Sequence, residues 1–289
     1  MTVQPNSVFR FAPSPTGYLH LGHAYSALRN ADLARACGGR LLLRIEDTDV
    51  ARSRPEFVAA IYEDLRWLGL DWEQPVRRQS EHFGDYALVL ERLQEQRLLF
   101  PCFCTRGDIA AATDAQAGWP RDPDGTPLYP GTCRHLSEGE RARRLASGQH
   151  AALRLDMEQA VGRVDSLLGW SEYGEGGEPR DVRAEPMSWG DVELGRKEFP
   201  ASYHIAVVTD DAGQGVTDVV RGRDVFAATS LHRLLQHLLG LPAPRYRHHA
   251  LIHGESGEKL AKTRGSPSLR DLRAQGLTPA QVREMAAAG

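Results

Sequence analysis

The sequence runs to 289 residues, is 41% hydrophobic and 25% charged, and carries a formal net charge of −3. That length supports a large core and more than one domain. The charge balance excludes a wholesale polyanion coat, so a nucleic-acid partner must meet a local basic face. No apolar run has the length needed to cross a bilayer. Met1 to Ser7 shows no basic stretch followed by an apolar one, so neither a membrane partner nor a secretory signal is expected. A cytoplasmic setting follows as the expectation. There Cys37, Cys102, Cys104 and Cys133 are predicted to be reduced, buried or metal-bound rather than paired as disulfides.

Val8 to Phe11 is short and apolar and runs into Pro13, Pro15 and Gly17, which force a loop. A helix fits Ala24 to Ala36, with Gly38 and Gly39 as its stop. Leu41 to Ile45 is a continuous apolar run of strand length. This βαβ unit predicts a parallel sheet with its ligand site at the strand C-termini. A second helix is predicted from Pro55, with Phe57, Ile61, Leu65 and Leu68 in one stripe and Gly69 after it. A third fits Tyr86 to Leu98. Asp114 to Gly131, rich in Gly, Pro and Asp, reads as an inserted loop. Ser137 and Glu140 read as a capping box that opens a basic helix through Leu145. Gly169 to Glu185 is a second polar, glycine-rich stretch. Tyr203 to Thr209 and Val216 to Val220 are predicted strands of a hairpin turning at Asp210 to Gly215. Leu231, Leu234, Leu235 and Leu238 form a helical stripe that ends at Gly240, and the tail after Thr278 has room for one short helix.

His20 and His23 lie three apart where the first helix begins, so both face the same way. Free N–H groups and the positive dipole end favour phosphate there. Imidazole donors can hold the charge that develops on an α-phosphate when a carboxylate attacks it. Gly22 allows the backbone and an adenine to come close. By itself H-x-x-H equally suits a helix cap or a metal pair; the preceding Pro-Ser-Pro-Thr-Gly and the strand–loop–helix context favour the nucleotide. Lys259 and Lys262, between Gly257 and Gly265, suit a loop that closes over a triphosphate. A lone lysine pair is more often a solvated loop, and the first segment reverses that preference.

Five stretches occur in order: Arg10-Phe-Ala-Pro-Ser-Pro-Thr-Gly…His-Leu-Gly-His23, Leu43-Arg-Ile-Glu-Asp-Thr-Asp49, Arg78-Gln-Ser-Glu81, Val220-Arg-Gly-Arg-Asp224 and Lys259-Leu-Ala-Lys-Thr263. Together they resemble the catalytic half of the class I glutamyl-tRNA synthetases over most of the chain. Those enzymes continue into a helical anticodon-binding region, whereas this sequence ends at Gly289. The shortened stretch Asp71 to Ser80 and the pattern Cys102-Phe-Cys104…Tyr129-Pro-Gly-Thr-Cys133 resemble the truncated paralogous family, the glutamyl-Q tRNA(Asp) synthetases. Ala261 and Thr263 depart from the usual lysine loop, where Ser and a Lys, Arg or Gln are common.

The resemblance implies an α/β Rossmann fold of the class I aminoacyl-tRNA synthetase type, split by a zinc-bearing subdomain and without an anticodon-binding domain. Residues 1–100 and 200–245 would form the two Rossmann halves, 101–199 the inserted acceptor-type subdomain, and 246–289 the lysine-loop segment and tail. It further implies that L-glutamate is activated by ATP and delivered to the queuosine base of tRNA(Asp). The competing readings are a minimal glutamyl-tRNA synthetase charging a tRNA 3′ end and a non-catalytic tRNA-binding paralogue. By resemblance Arg10, Ala12, Pro13, Ser14, Glu46, Tyr203 and Arg221 line the glutamate pocket. Glu46 and Tyr203 would meet the substrate ammonium. The arginines suit carboxylates, although surface ion pairing accounts for many such residues. His20, Gly22, His23 and Lys262 would bind ATP, and both histidines and both lysines would act in catalysis.

A structural Zn²⁺ would take Cys102, Cys104 and Cys133. Its fourth ligand is open between Tyr129, which matches the glutamyl-Q pattern, and His135, the more conventional donor. Three reduced core cysteines are the alternative. Mg²⁺ accompanying ATP is implied, with no dedicated protein ligand standing out. Arg134, Arg141, Arg143, Arg144 and Arg154, and later Arg245, Arg247, His248 and His249, are candidate RNA contacts, each equally readable as a solvated face. The expected state is a monomer.

Overall fold

The structure, a computed structural model, describes residues 4, 6–174, 178–197, 201–252 and 267–288. Strand β1 (Val8–Phe11) is buried along its length. Helix α1 (Leu21–Ala36) follows the proline loop and starts a turn ahead of the expected Ala24, because His20 caps it. Strand β2 (Arg40–Ile45) pairs parallel with β1, Val8 opposite Arg40 and Phe11 opposite Leu43. Helix α2 (Pro55–Trp67) begins at the predicted proline and turns Ile61 and Leu65 inward. Strand β3 (Glu73–Arg78) adds parallel to β2. Helix α3 (Phe83–Glu95) begins and ends three residues earlier than the range Tyr86 to Leu98, because Arg97 takes a left-handed φ of 58° and Leu98 is turned into the core.

Strand β4 (Leu99–Cys102), helices α4 (Arg106–Asp114) and α5 (Glu138–Ala146), strand β5 (Ala152–Leu155) and helix α6 (Met157–Val161) come next. Ser137 caps α5 as predicted, its hydroxyl accepting from the Glu140 N–H at 3.2 Å. Gly169 to Glu185, read as a polar stretch, holds an antiparallel pair: β6 (Gly169–Tyr173) and β7 (Pro179–Arg183). Strand β8 (Glu193–Gly195), helix α7 (Tyr203–Gly213), strand β9 (Asp218–Gly222), helix α8 (Ala228–Leu239), strand β10 (Arg245–His249), and helices α9 (Leu269–Ala274) and α10 (Pro279–Ala288) complete the described chain.

The large sheet has the order β3-β2-β1-β9-β10-β6-β7, parallel except for its last pair. Strand order reverses between β1 and β9, the switch point at which open α/β sheets bind ligands. A separate antiparallel sheet, β4-β5-β8, carries the cysteine segment. The β6–β7 hairpin lies within residues 101–199 yet extends the large sheet through the Tyr246–Glu172 pairing of β10 with β6.

The expected hairpin at 203–220 is corrected. Tyr203 to Thr209 is the start of α7, and Asp210 and Asp211 are buried on that helix rather than exposed in a turn. Ile205, Ala206, Val207 and Val208 are all buried, so the helix has no polar face along this run and its apolar stretch imitates a strand. Tertiary packing decides between the two.

At the far edge, Leu269 donates its N–H to the Leu19 carbonyl at 2.7 Å, and Val282 on α10 packs into the α1 cluster. Asp64 on α2 faces Arg273 on α9 at 4.0 Å, and neither of its carboxylate oxygens has a hydrogen-bond partner. Burial raises its pKa to about 6, against the pull of Arg273. The folded chain therefore holds this proton more tightly than the unfolded one. Asp64 disfavours folding progressively as pH rises from about 4 to about 6 and costs a constant amount above that. Asp64→Asn is expected to raise stability at pH 7 by about 1–3 kcal/mol, with little gain below pH 4. Urea unfolding at the two pH values checks this, and an equal effect at both would contradict it.

Candidate active site

The C-terminal ends of β1 and β9 and the start of α1 enclose a cleft of about 340 Å³. Its walls include Arg10, Ala12, Pro13, Ser14, His20, Gly22, His23, Glu46, Tyr203 and Arg221. Residues separated by as much as 211 positions are brought together, and they comprise every residue that the resemblance assigns to glutamate or ATP among the described ones. Lys259 and Lys262 lie outside the described residues.

His20 is the N-cap of α1. Its Nδ1 accepts from the Gly22 N–H at 3.1 Å, and Nδ1 of His23 accepts from the His20 N–H at 3.2 Å. With each Nδ1 accepting, each neutral ring carries its proton on Nε2. Capping through Nδ1 is thus compatible with a ring that carries its proton on Nε2, so the cap reading of H-x-x-H does not exclude the other. A Cβ on Gly22 would lie 3.1 Å from the His20 ring, so this glycine makes room for the capping imidazole itself.

Behind the cleft is a buried lattice of charge. Arg10 donates to Asp211 at 3.1 Å, and Arg44 donates to Asp211 at 2.7 Å and to Glu46 at 3.1 Å. Asp210 accepts from Arg77 at 2.7 Å, from Gln79 at 2.8 Å and from Tyr86 at 2.9 Å, with Arg44 Nε 3.8 Å away. Burial opposes the charge of Arg44, but Asp211, Glu46 and Asp210 outweigh it and hold its pKa above the ordinary value. Burial pushes Glu46 up despite Arg44 and Arg10. The Glu46 N–H donates to the Pro13 carbonyl at 3.1 Å and ties the proline loop to the end of β2.

Arg221 differs. It is only 7% exposed, yet its acceptors are Thr229 Oγ1 at 2.8 Å, His248 Nε2 at 3.0 Å, the Val225 carbonyl at 3.2 Å, and Tyr203 Oη and His232 Nδ1 at 3.3 Å. Among the described residues no carboxylate pairs with it. A buried cation held only by neutral groups is costly unless an anion joins it, and this one opens on the cleft.

The family model for "tRNA synthetases class I (E and Q), catalytic domain" matches residues 7–287. A glutamyl-Q tRNA(Asp) synthetase of Rhodobacter capsulatus is 47% identical over 96% of this chain and 99% of its own. One from Nocardia farcinica is 43% identical over 94% and 81%. The chain belongs to the glutamyl-Q tRNA(Asp) synthetases, within the class I family. It is accordingly a ligase of the aminoacyl-tRNA synthetase type. Among solved structures, a glutamate tRNA ligase of Elizabethkingia meningosepticum in complex with its amino acid superposes with a TM-score of 0.74 at 28% identity. It covers 94% of this chain, which spans about half of that ligase, 53%.

In this synthetase the site residues that sequence reading passed over are Arg44, Asp210, Asp211 and His232, while His248, read there as an RNA contact, is buried between Arg221 and Glu172. One signal was present: an arginine inside the apolar run Leu41 to Ile45 demands a buried carboxylate. The acidic pair that answers it was hidden by its reading as a turn.

The three thiols of Cys102, Cys104 and Cys133 lie within 4.8 Å of one another, with the Cys104 and Cys133 sulfurs 3.6 Å apart. A tetrahedral zinc with ~2.3 Å bonds sets sulfurs about 3.8 Å apart. The Tyr129 hydroxyl is 3.3 Å from Cys102 Sγ and 3.5 Å from Cys104 Sγ, and accepts from the Cys133 N–H at 2.8 Å. His135 is exposed and outside this group. Burial pushes the Cys104 thiol up to about 11. For Cys133 burial also acts upward, but hydrogen bonds from Tyr129 and the Phe103 N–H outweigh it and lower the pKa.

The arginine clusters are largely engaged internally. Arg143 and Arg144 both pair with Glu140, Arg134 faces Asp191, and Arg141 donates to the Arg134 carbonyl. Arg245 is paired with Asp218, and His248 is buried against Arg221. These contacts favour a structural role over a phosphate-binding one.

Arg44→Met would leave Asp211 and Glu46 buried with fewer counter-charges. A loss of about 3–5 kcal/mol is expected, read as a lower urea midpoint; an unchanged midpoint would show that the lattice is not what holds α7 to the sheet.

Proposed function

We propose that this ligase activates L-glutamate with ATP, releasing pyrophosphate, and transfers the glutamyl group to the queuosine base in the anticodon of tRNA(Asp). The observation that carries the acid specificity is Arg221, a buried cation that no carboxylate pairs with among the described residues and that shares the cleft with the start of α1. A dicarboxylic amino acid would place its side-chain carboxylate on Arg221 and its ammonium near Glu46 and Tyr203. The segment Arg10 to Ser14 would hold the reacting carboxylate toward α1. There it attacks the α-phosphorus of ATP, forming the acyl–phosphate bond as the bond to pyrophosphate breaks. The Nε2 protons of His20 and His23 would stabilise the developing charge.

Lys259 and Lys262 are read as closing on the phosphates from the opposite side. Ile252, which lines the cleft, and Ser268, bridged to His20, support this because they anchor both sides of the 253–266 stretch at the site. Mg²⁺ would accompany ATP by way of its phosphates. A hydroxyl of the queuosine cyclopentene ring would then attack the acyl carbonyl and release AMP. The queuosine acceptor rests on the names of the relatives. The reading of residues 101–199 as an acceptor-type subdomain rests on the family resemblance, and a monomer is taken as the default state.

The cysteine cluster is read as a structural zinc site with Cys102, Cys104, Cys133 and Tyr129 as ligands. Such an ion would cross-link β4 to the loop before α5. Zinc analysis by atomic absorption is expected to give about one equivalent, reduced in Cys104→Ser and in Tyr129→Phe but not in His135→Ala. Retention in all three variants would refute the ligand set.

The functional test uses labelled glutamate, ATP and tRNA(Asp) with an intact or a truncated 3′ end, each with and without queuosine. Glutamate-dependent exchange of pyrophosphate into ATP and label that requires queuosine are expected. Label that requires an intact 3′ end would instead establish 3′ charging, and absence of adenylate would establish a binding protein.

A further inference from the structure

A guanidinium has donors and no acceptor, so every nitrogen it bonds to must present a lone pair. Arg221 Nη1 lies 3.3 Å from His232 Nδ1, and its Nε donates to His248 Nε2 at 3.0 Å. Those two nitrogens are therefore unprotonated, and the direction of the surrounding network follows. The His248 proton sits on Nδ1 and is donated to Glu172 Oε2 at 2.9 Å; Glu172 also accepts from the His248 N–H and from Trp170 Nε1. The His232 proton sits on Nε2 and is donated to His204 Nδ1 at 3.1 Å. His204 is then protonated on Nε2, and it lines a second cavity of about 490 Å³ shared with Tyr129, Arg154, Trp189 and Tyr203. Burial, reinforced by Arg221, lowers His204 to about 4 and His232 well below its ordinary value, and burial lowers His248 to about 4 against the upward pull of Glu172.

We propose that His232, backed by His204, is a positioning residue that holds Arg221 for the substrate carboxylate without neutralising it. This rests on the reading that Arg221 takes that carboxylate. The physical reason is a contrast within the same cleft. Arg10 and Arg44 are oriented by Asp211, and their charge is compensated inside the protein. An acid at position 232 would orient Arg221 equally well but compete with the incoming anion. A neutral imidazole accepts the hydrogen bond, excludes water and leaves the charge for the ligand. The Asp-for-Asn contrast at position 232 isolates this effect, since the two side chains are nearly the same shape and differ in charge.

The test measures KM for glutamate and for ATP in pyrophosphate exchange for His232→Asn and His232→Asp, with thermal melts to confirm folding. Asn is expected to stay within about threefold of the parent KM for glutamate, and Asp to raise it about tenfold or more, with the KM for ATP unchanged in both. Equal glutamate KM values for the two variants, or parallel rises for ATP, would overturn the proposal. Absence of exchange in the parent protein would instead remove the glutamate reading.

A second arm needs neither activity nor a variant. Long-range ¹H–¹⁵N correlation on the parent protein should show His232 and His204 neutral and protonated on Nε2, and His248 neutral and protonated on Nδ1, at pH 7. A protonated Nδ1 on His232 or a charged ring at either His232 or His204 would sink the inference whether or not the variants fold.

Discussion

The structure depends on one buried ionic lattice. Arg10 comes from β1, Arg44 and Glu46 from β2 and its end, Arg77 from β3, and Asp210 and Asp211 from α7. Each strand of the first sheet half thus contributes a charge to a helix more than a hundred residues downstream. Burying these groups singly would be prohibitive; buried together they satisfy one another. The lattice therefore joins β1, β2 and β3 to α7 in one arrangement and lies behind the cleft between β1 and β9.

Two kinds of arginine result. Arg10 and Arg44 have their charge met by carboxylates inside the protein. Arg221, a short distance away on β9, is held by a hydroxyl pair, a carbonyl and two neutral imidazoles. The first kind builds the site and the second is suited to meet a ligand. A related division appears at the start of α1, where Nδ1 of His20 and of His23 fasten the helix end, which places the proton of each neutral ring on Nε2.

The cysteine group follows a separate logic. Cys102 ends β4, Cys104 lies two residues beyond, and Cys133 arrives from a loop before α5. This small sheet has its own apolar cluster of Phe100, Phe103 and Ala152 around the thiols. Tyr129, the less conventional donor, is the one placed among the sulfurs, because the turn Tyr129 to Cys133 folds its hydroxyl back onto the Cys133 N–H.

Much of this was legible in the residues alone. The strand–proline loop–helix opening, the Pro55 and Gly240 boundaries, and the membership of the cleft all follow from periodicity, capping chemistry and the motif resemblance, which are local properties of the chain. The identity of α7 was not legible, because a helix buried on all sides loses the polar face that marks a helical period. Nor were the partners of the arginines. Arg10, Arg44 and Arg221 look alike in sequence. Which of them has its charge met depends on carboxylates some 170 to 200 positions away, as with the Arg44–Asp211 and Arg10–Asp211 pairs. The sequence by itself determined the chemistry this protein carries. Only the tertiary structure decided which cation has no carboxylate partner among the described residues, because electrostatic compensation depends on distance in space and burial, and neither is encoded in spacing along the chain.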